Sequence, residues 1–296
     1  MTINGDGLVQ KRRLSDRERF DVLALADICN SDEGLEIKLN IGSPPDDAAA
    51  GGNDFLYYVD GGETLAGYCA LDAGRAIELC GMVHPAHRRR GLGRLLLDAA
   101  SAEGRRRGVD SLLLICERAS RSGQAFVKTT GAQYRSAELR MRLDLAAFRA
   151  RPYDGARLTL RQAGPEHVEP LTRILAASFN DPEDATRARV QHDLPAPGGW
   201  FVLARLAGEP VGTLRVVDMD RTANIYAFGL LPAYRGRGLG RRMLEATLEA
   251  LRQDGYTSAG LEVETENANA VALYRSCGFV ETTTYEYYAL DLPHLS

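Results

Sequence analysis

The sequence predicts an α/β protein made of two tandem copies of one domain, each a mixed sheet with helices on both faces. Three observations predict it. The chain matches itself at an offset of 147 residues, without insertion, from Val83 to Gly131 and from Leu230 to Gly278. Strand-like and helix-like patterns alternate within each half, the order of a layered α/β architecture. A glycine-rich turn joins an apolar strand to an amphipathic helix at the same place in both halves, at Gly91 and at Gly238.

Residues that punctuate the chain carry the repeat: Pro85 matches Pro232, Arg88 matches Arg235, and Gly91, Gly93, Gly108 and Gly131 match Gly238, Gly240, Gly255 and Gly278. Four of the seven glycines between Gly81 and Gly131 meet another glycine, where a chance alignment at average glycine usage gives about 0.7. Upstream the match resumes at an offset of 145, Gly67 with Gly212, which implies a connection of altered length between two rigid blocks. Between Phe148 and Ala156, Arg151, Pro152, Asp154 and Gly155 cluster between two apolar segments. This sets the domains at 1–148 and 156–296, a common size.

The second copy shows its elements most clearly. Leu158 to Arg161 alternates as a first strand, and Pro165 to Phe179 has helical periodicity opened by Pro165 and Glu166. Trp200 to Leu206 and Val211 to Val217 are strands joined by the turn Ala207-Gly208-Glu209-Pro210, and Asn224 to Leu231 is a further strand. Gly238 to Asp254 is a helix ended by Gly255, Ser258 to Val263 a buried strand, and Ala268 to Ser276 a short helix stopped by Gly278. Glu281 to Leu290 closes the copy in alternating strand pattern. In the first copy Arg17 to Cys29 is the first helix, and the loop from Gly42 to Asn53, rich in Pro, Asp, Ala and Gly, is expected to be poorly ordered.

Lys and Arg total 36 against 40 for Asp and Glu, a formal charge of -4, so no overall field draws the chain to nucleic acid or to an anionic membrane. The five cysteines (Cys29, Cys69, Cys80, Cys116, Cys277) are odd in number and form no C-x-x-C pair, which argues against a disulfide framework and a zinc site. Met1 to Arg13 lacks the apolar core of a signal peptide, and no later stretch approaches about 18 apolar residues. A cytoplasmic location is expected, without metal, membrane or nucleic-acid partners. His84 and His87 stand three apart with no third ligand evident, and Arg105-Arg106-Arg107 suits a helix C-terminus.

The segment Tyr234-Arg235-Gly236-Arg237-Gly238-Leu239-Gly240-Arg241 carries the chemistry. Glycines let a backbone approach an anion, and the helix start adds unpaired N–H groups and the positive end of the dipole. Arginines supply charge-assisted bonds to phosphate oxygens. No Lys-Ser or Lys-Thr follows the last glycine and no G-x-G-x-x-G spacing is present, so neither a triphosphate loop nor a dinucleotide fingerprint is indicated. The first copy repeats the anion loop as Arg88-Arg89-Arg90-Gly91-Leu92-Gly93-Arg94.

Arg235-x-x-Gly238-x-Gly240, followed by Asn267-x-x-Ala270-x-x-Leu273-Tyr274-x-x-x-Gly278-Phe279, resembles the GCN5-related N-acetyltransferases (GNAT). The resemblance implies two tandem acyl-CoA N-acyltransferase domains with mostly antiparallel sheets. It implies acetyl-coenzyme A as cosubstrate, with its pyrophosphate on the loop from Arg235 to Arg241 and its pantetheine arm bonded to the backbone of Phe228 and Leu230. Asn267 would fix the cofactor arm and the helix start. In the first copy the equivalent positions are Val83 and the loop from Arg88 to Arg94. Tyr274 stands where the family places the phenol that protonates the departing sulfur. The run Leu261-Glu262-Val263-Glu264-x-x-Asn267 is similar to bacterial ribosomal-protein alanine N-acetyltransferases, whose general base sits at the position of Glu262. Glu264 shares its strand face and remains an alternative base, and one of the two fits a plain ion pair.

The tandem layout resembles mycothiol synthase, with one departure: that enzyme's second domain carries a carboxylate on the fourth strand, and Asn224 to Leu231 has none. Subtracting 147 turns Glu262, Asn267, Tyr274 and Phe279 into Ile115, Ser120, Val127 and Ala132, so the first copy keeps its loop and is expected to lack chemistry. Glu78, on its fourth strand, is where some relatives carry a base. The expected activity is direct acetyl transfer to a primary amine, with Glu262 as base and Tyr274 as acid. The acceptor is a small amine (amino sugar, antibiotic or cysteinyl conjugate) or a protein N-terminus. The other reading is a non-catalytic acetyl-coenzyme A sensor or scaffold. Tyr285, Tyr287 and Tyr288 are candidates to line an acceptor site or to pack a closing strand.

Overall fold

A computed structural model of the chain describes residues 6–39, 53–73, 77–151, 158–219 and 221–292. Residues 42–52 of the loop expected to be poorly ordered lie outside the described residues, as do Pro152, Asp154 and Gly155 of the expected connection.

Met1–Glu138 and Thr283–Ser296 form one unit. After β1 (Gly7–Lys11), α1 (Asp16–Glu33) starts at a capping box: Ser15 Oγ accepts from the Glu18 N–H at 3.3 Å, and the Glu18 carboxylate accepts from the Ser15 N–H at 2.8 Å. β2 (Asp54–Val59), β3 (Thr64–Ala73) and β4 (Ile77–Val83) join the sheet as antiparallel neighbours. α2 (Leu92–Arg106) then crosses over to β5 (Ser111–Glu117), which runs parallel to β4, and α3 (Arg121–Val127) leads to β6 (Gln133–Asp144). Alternation assigns each strand residue to a layer. Tyr68 and Ala70 of β3 pack with Val22, Leu25 and Cys29 of α1, whereas Cys69 and Leu71 pack with Leu96, Leu97 and Ala100 of α2. At the end of α2, Glu103 is buried and accepts from Arg106 and Arg107, whose guanidiniums hold its carboxyl down at about 2.

Leu139–Thr282 forms the other unit. Its elements are β7 (Leu158–Gln162), α4 (Val168–Phe179), α5 (Glu183–Asp193), β8 (Gly199–Leu206), β9 (Glu209–Met219) and β10 (Thr222–Leu230), then α6 (Leu239–Gln253), β11 (Ser258–Glu264) and α7 (Ala268–Ser276). β7 to β10 are antiparallel and β11 runs parallel to β10, so the sheet is mixed and mostly antiparallel. Leu171, Ile174 and Leu175 of α4 and Val190 of α5 pack with Phe201 and Leu203 on one face. Met243, Leu244 and Leu248 of α6 and Val271 of α7 pack with Ala223, Ile225, Leu261 and Val263 on the other. The sequence pattern does not predict α5, because among its described residues only Thr186 and Val190 are buried.

The units divide elsewhere than at the 148–156 connection. The last strand, β12 (Val280–Asp291), pairs antiparallel with β5 of the first unit, from Tyr285 opposite Glu117 to Asp291 opposite Ser111. The second half of β6 lies in the second unit beside β11. Each sheet is therefore finished by a strand from the other half of the sequence. The change of offset also has a structural source. Gly67 pairs with Val83 and Gly212 with Leu230, two residues farther apart in sequence in the second copy, and a bulge in β10 between Tyr226 and Gly229, absent from β4, takes up one of those two residues.

Tyr285 is fully buried and donates to the Glu36 carbonyl at 2.6 Å. Its position predicts that Tyr285→Ala, near the chain's end, destabilises the first unit by about 3–5 kcal/mol, the cost of removing a large core aromatic. Denaturant unfolding checks the size, and hydrogen exchange checks the place: protection should fall along Leu112 to Glu117.

Candidate active site

A parallel strand pair that stops pairing partway makes the cleft of the second unit. β10 and β11 are paired from Thr222 opposite Ser258 to Ile225 opposite Leu261. Beyond that point the bulge, with Ala227 at φ +49°, turns β10 away while Gly229 and Leu230 stay in register with β9. The backbone comes so close to α4 here that a Cβ on Gly229 would lie 2.6 Å from Ser178 Oγ. The Leu230 carbonyl, expected to bond a pantetheine arm, accepts from Arg235 Nε at 3.0 Å.

The loop that follows is held by its first arginine. Arg235 spends its guanidinium on two backbone carbonyls, Leu230 and Ser178 (3.1 Å). Gly236 and Gly238 adopt φ of +71° and +74°, where a side chain is strained. Gly238 brings no side-chain cap to α6, which leaves the first N–H groups of that helix for an anion. Arg241 reaches Ser276 Oγ on α7 at 2.7 Å, and Arg237 stands over the Tyr234 ring at 5.6 Å. The arginine spacing thus builds the loop, and the backbone supplies most of the anion site.

Glu262 and Tyr274 flank the gap from opposite faces of the sheet. Leu261 and Val263 are buried with Tyr274 on the α6 and α7 face, so by alternation Glu262 points to the α4 and α5 face. Glu262 is half-buried and Glu264 exposed. Tyr274 is 8% exposed and packs against Phe228 and Phe279. Burial, with the Cys277 thiol as a lesser contribution, pushes its hydroxyl up to about 12, so it stays protonated at neutral pH. Asn267 caps α7, its Oδ1 accepting from the Ala270 N–H at 3.2 Å. Sequence reasoning missed two residues on the Glu262 face. Arg215 lies opposite Phe201 and Tyr226, with its guanidinium over the Phe201 ring at 5.8 Å and its Nε buried without a hydrogen-bond partner. Asn224 is buried with Oδ1 against Gly260. The available signal was an arginine at an inward position of an otherwise apolar strand.

The first unit repeats the frame with Ile115 and Val127 at the positions of Glu262 and Tyr274. β4 and β5 are paired only at Glu78 with Leu113 and Leu79 with Leu114, so Glu78 lies where the strands are still joined. Arg88 Nε donates to the Val83 carbonyl at 3.1 Å, as Arg235 does to Leu230, and its Nη1 binds Asp32 and Glu33. Gly91, at φ +86°, precedes α2 with no side-chain cap. Ser120 caps α3 as Asn267 caps α7, accepting from the Gly123 N–H at 3.0 Å. A cavity of about 460 Å³ opens at the gap, bounded by the loop from Arg88 to Arg94, by Val83 and by Val127. Tyr285 lines it, whereas Tyr287 is a buried packing residue bonded to Glu138. His84 Nδ1 accepts from the Ala86 N–H, and among the described residues no group of three or more His, Cys, Asp or Glu is placed to hold a metal ion. No described helix is long and apolar enough to cross a membrane.

Comparisons with known proteins agree with both frames. Residues 168–279 match the Acetyltransferase (GNAT) family and residues 52–131 an Acetyltransferase (GNAT) domain. The mycothiol acetyltransferase of Clavibacter sepedonicus is 31% identical over 276 residues, 87% of this chain and 87% of that protein. The N-alpha-acetyltransferase RimI of Mycobacterium tuberculosis is 38% identical over 96 residues, 31% of this chain and 59% of that protein. Two solved structures share the fold. A GCN5-related N-acetyltransferase from Sphaerobacter thermophilus has TM-score 0.78 at 18% identity, covering 98% of this chain and 97% of that one. A tandem GNAT protein from the clavulanic acid biosynthesis pathway has TM-score 0.71 at 17% identity, covering 98% and 99%.

The paired caps give a direct expectation. Asn267→Ala and Ser120→Ala each leave a helix start without its side-chain acceptor and should each cost about 1 kcal/mol, measured by urea unfolding.

Proposed function

The chain belongs to the GNAT acetyltransferase family and is an acetyl-coenzyme A-dependent N-acetyltransferase, and from that premise we propose that the Leu139–Thr282 unit acetylates the primary amine of a small cysteinyl conjugate, with Glu262 as base and Tyr274 as acid. One observation carries the pairing of roles: the two side chains stand on opposite faces of a sheet at the gap between β10 and β11. Acetyl-coenzyme A supplies the acetyl group as a thioester. The first N–H groups of α6 bind its pyrophosphate, and the backbone of Phe228 in the bulge holds the pantetheine arm. Glu262, on the α4 and α5 face, takes the ammonium proton of the acceptor directly or through one water. The freed nitrogen attacks the thioester carbonyl, the carbon–sulfur bond breaks, Tyr274 gives its phenolic proton to the sulfur on the other face, and the second proton leaving the nitrogen returns through solvent to restore the phenol. A phenol held at about 12 is protonated at neutral pH, as the donor of a proton to a departing thiolate must be.

The likeness to mycothiol acetyltransferases over 87% of both chains supports the small cysteinyl acceptor. β10 carries no carboxylate, so in this reading the base has moved one strand over, to β11. A second reading, a protein N-terminus, is favoured by the RimI likeness. Arg215 bears on the choice, because its half-buried guanidinium, with Nη1 3.8 Å from Asp193 and Nε without a partner, suits the hydroxyl groups of a small polar acceptor. For the Met1–Glu138 unit we propose that the gap and the loop from Arg88 to Arg94 hold a coenzyme A thioester without transfer, since Ile115 and Val127 replace base and acid. The five buried cysteines form no disulfide, which supports a cytoplasmic setting.

Tyr274→Phe should lower kcat by about 10²–10⁴-fold and leave the KM for acetyl-coenzyme A nearly unchanged, measured by thiol release. Unchanged turnover refutes the acid. Glu262→Gln should lower kcat by a similar factor, whereas Glu264→Gln should leave kcat nearly unchanged. Thiol release with a cysteinyl amino-sugar conjugate and with an alanine-initiated peptide decides the acceptor, with the conjugate turned over faster.

A further inference from the structure

The cavity of the first unit extends past the place where a coenzyme A arm would lie. Beyond Leu79 and Leu114 the sheet is open, and the lining continues from the phosphate loop on the α2 face to a chamber on the α1 face. Cys29, Tyr68, Cys80 and Met82 wall that chamber, together with Leu35 and Ile37. In the second unit the same face of the sheet carries Glu262, Asn224 and Arg215. Here the position of Glu262 is Ile115, which lines the cavity, and Val127 stands where a phenol would close its entrance.

Polar groups at the rim are already bonded. Glu117 accepts from the Glu36 N–H at 2.8 Å and from Thr283 Oγ1 at 2.7 Å, Tyr285 donates to the Glu36 carbonyl, and Lys38 Nζ donates to the Tyr287 hydroxyl at 2.8 Å. Of the buried side-chain polar atoms without a partner among the described residues, none belongs to this lining. Burial pushes the thiols of Cys29 and Cys69 up and that of Cys116 to about 12, so at neutral pH they remain uncharged and act as small apolar groups. A polar acceptor would lose its hydration here and gain no bond, while an apolar chain gains burial without leaving any polar group unpaired.

Resting on the reading that this unit holds a coenzyme A thioester, we propose that its preferred ligand is an acyl-coenzyme A with an apolar chain longer than acetyl, bound without transfer, its chain in the chamber on the α1 face. The test is calorimetry of the full chain with coenzyme A and with its acetyl, butyryl and hexanoyl thioesters. Gly91→Val, which strains the loop at φ +86°, assigns the heat to this site, and Ile37→Trp fills the chamber from a half-buried rim position. Binding at this site should tighten by about fourfold for each added methylene that the chamber buries. Ile37→Trp should flatten that trend while keeping binding of coenzyme A itself, and it keeps the test available should Gly91→Val fold poorly. Affinity that is level or falls from acetyl to hexanoyl overturns the chamber but leaves coenzyme A binding standing. Absence of any binding sensitive to Gly91→Val or Ile37→Trp overturns both.

Discussion

Both sites depend on a parallel strand pair that lets go before its end. In a continuous sheet every main-chain N–H and C=O along β10 and β11, or along β4 and β5, would be spent on its neighbour. Ending the ladder after Leu261 in one unit and Leu114 in the other leaves backbone groups facing a gap, and an extended amide-bearing arm is a ligand that satisfies them. The gap needs a fixed entrance. In each unit an arginine five residues beyond the end of the strand folds back onto a strand carbonyl, so the glycine turn and the bare helix start keep their place without a ligand. In the proposed reading coenzyme A would meet a preformed cradle whose charge is local, which would reconcile affinity for an anion with a net charge of -4.

On this common frame the two copies have diverged by small changes of large chemical effect. The bulge in β10, with no counterpart in β4, reorients the strand beside Tyr274 and Phe228. One copy keeps a carboxylate and a phenol on opposite sides of its gap. The other has apolar residues at both positions and a buried Glu33 that binds Arg88 at the edge of its loop. In the proposed roles, Ile115 and Val127 supply neither base nor acid, and they set no polar group against an apolar ligand.

Much of this was legible before the structure. α7 begins and ends where its asparagine and glycine signals place it, and most strands agree to within two residues, because Gly and Pro mark their ends by local sterics. α5 was not legible, since an exposed helix with two buried side chains has no apolar stripe to read. The motif spacing located Arg235 without showing that its guanidinium faces carbonyls, a matter of rotamer and loop path. One of the two extra residues behind the change of offset sits in a strand, where sequence suggested a connection. The strand exchange was invisible for a deeper reason: β6 and β12 have the same alternation, and which sheet each joins is decided by tertiary contacts that periodicity does not encode.

That exchange has a consequence for synthesis on the ribosome. β5 acquires its outer neighbour only when Tyr285 emerges, 168 positions after Glu117, a delay of roughly 10–30 s at ordinary translation rates. Until then the nascent first unit has an open edge of alternating Leu112, Leu114 and Cys116, the kind of surface that recruits foreign strands. β12 therefore acts as a release condition: a chain that stops before Tyr285 leaves its earliest-made half unsealed, and quality control sees the defect in the part translated first.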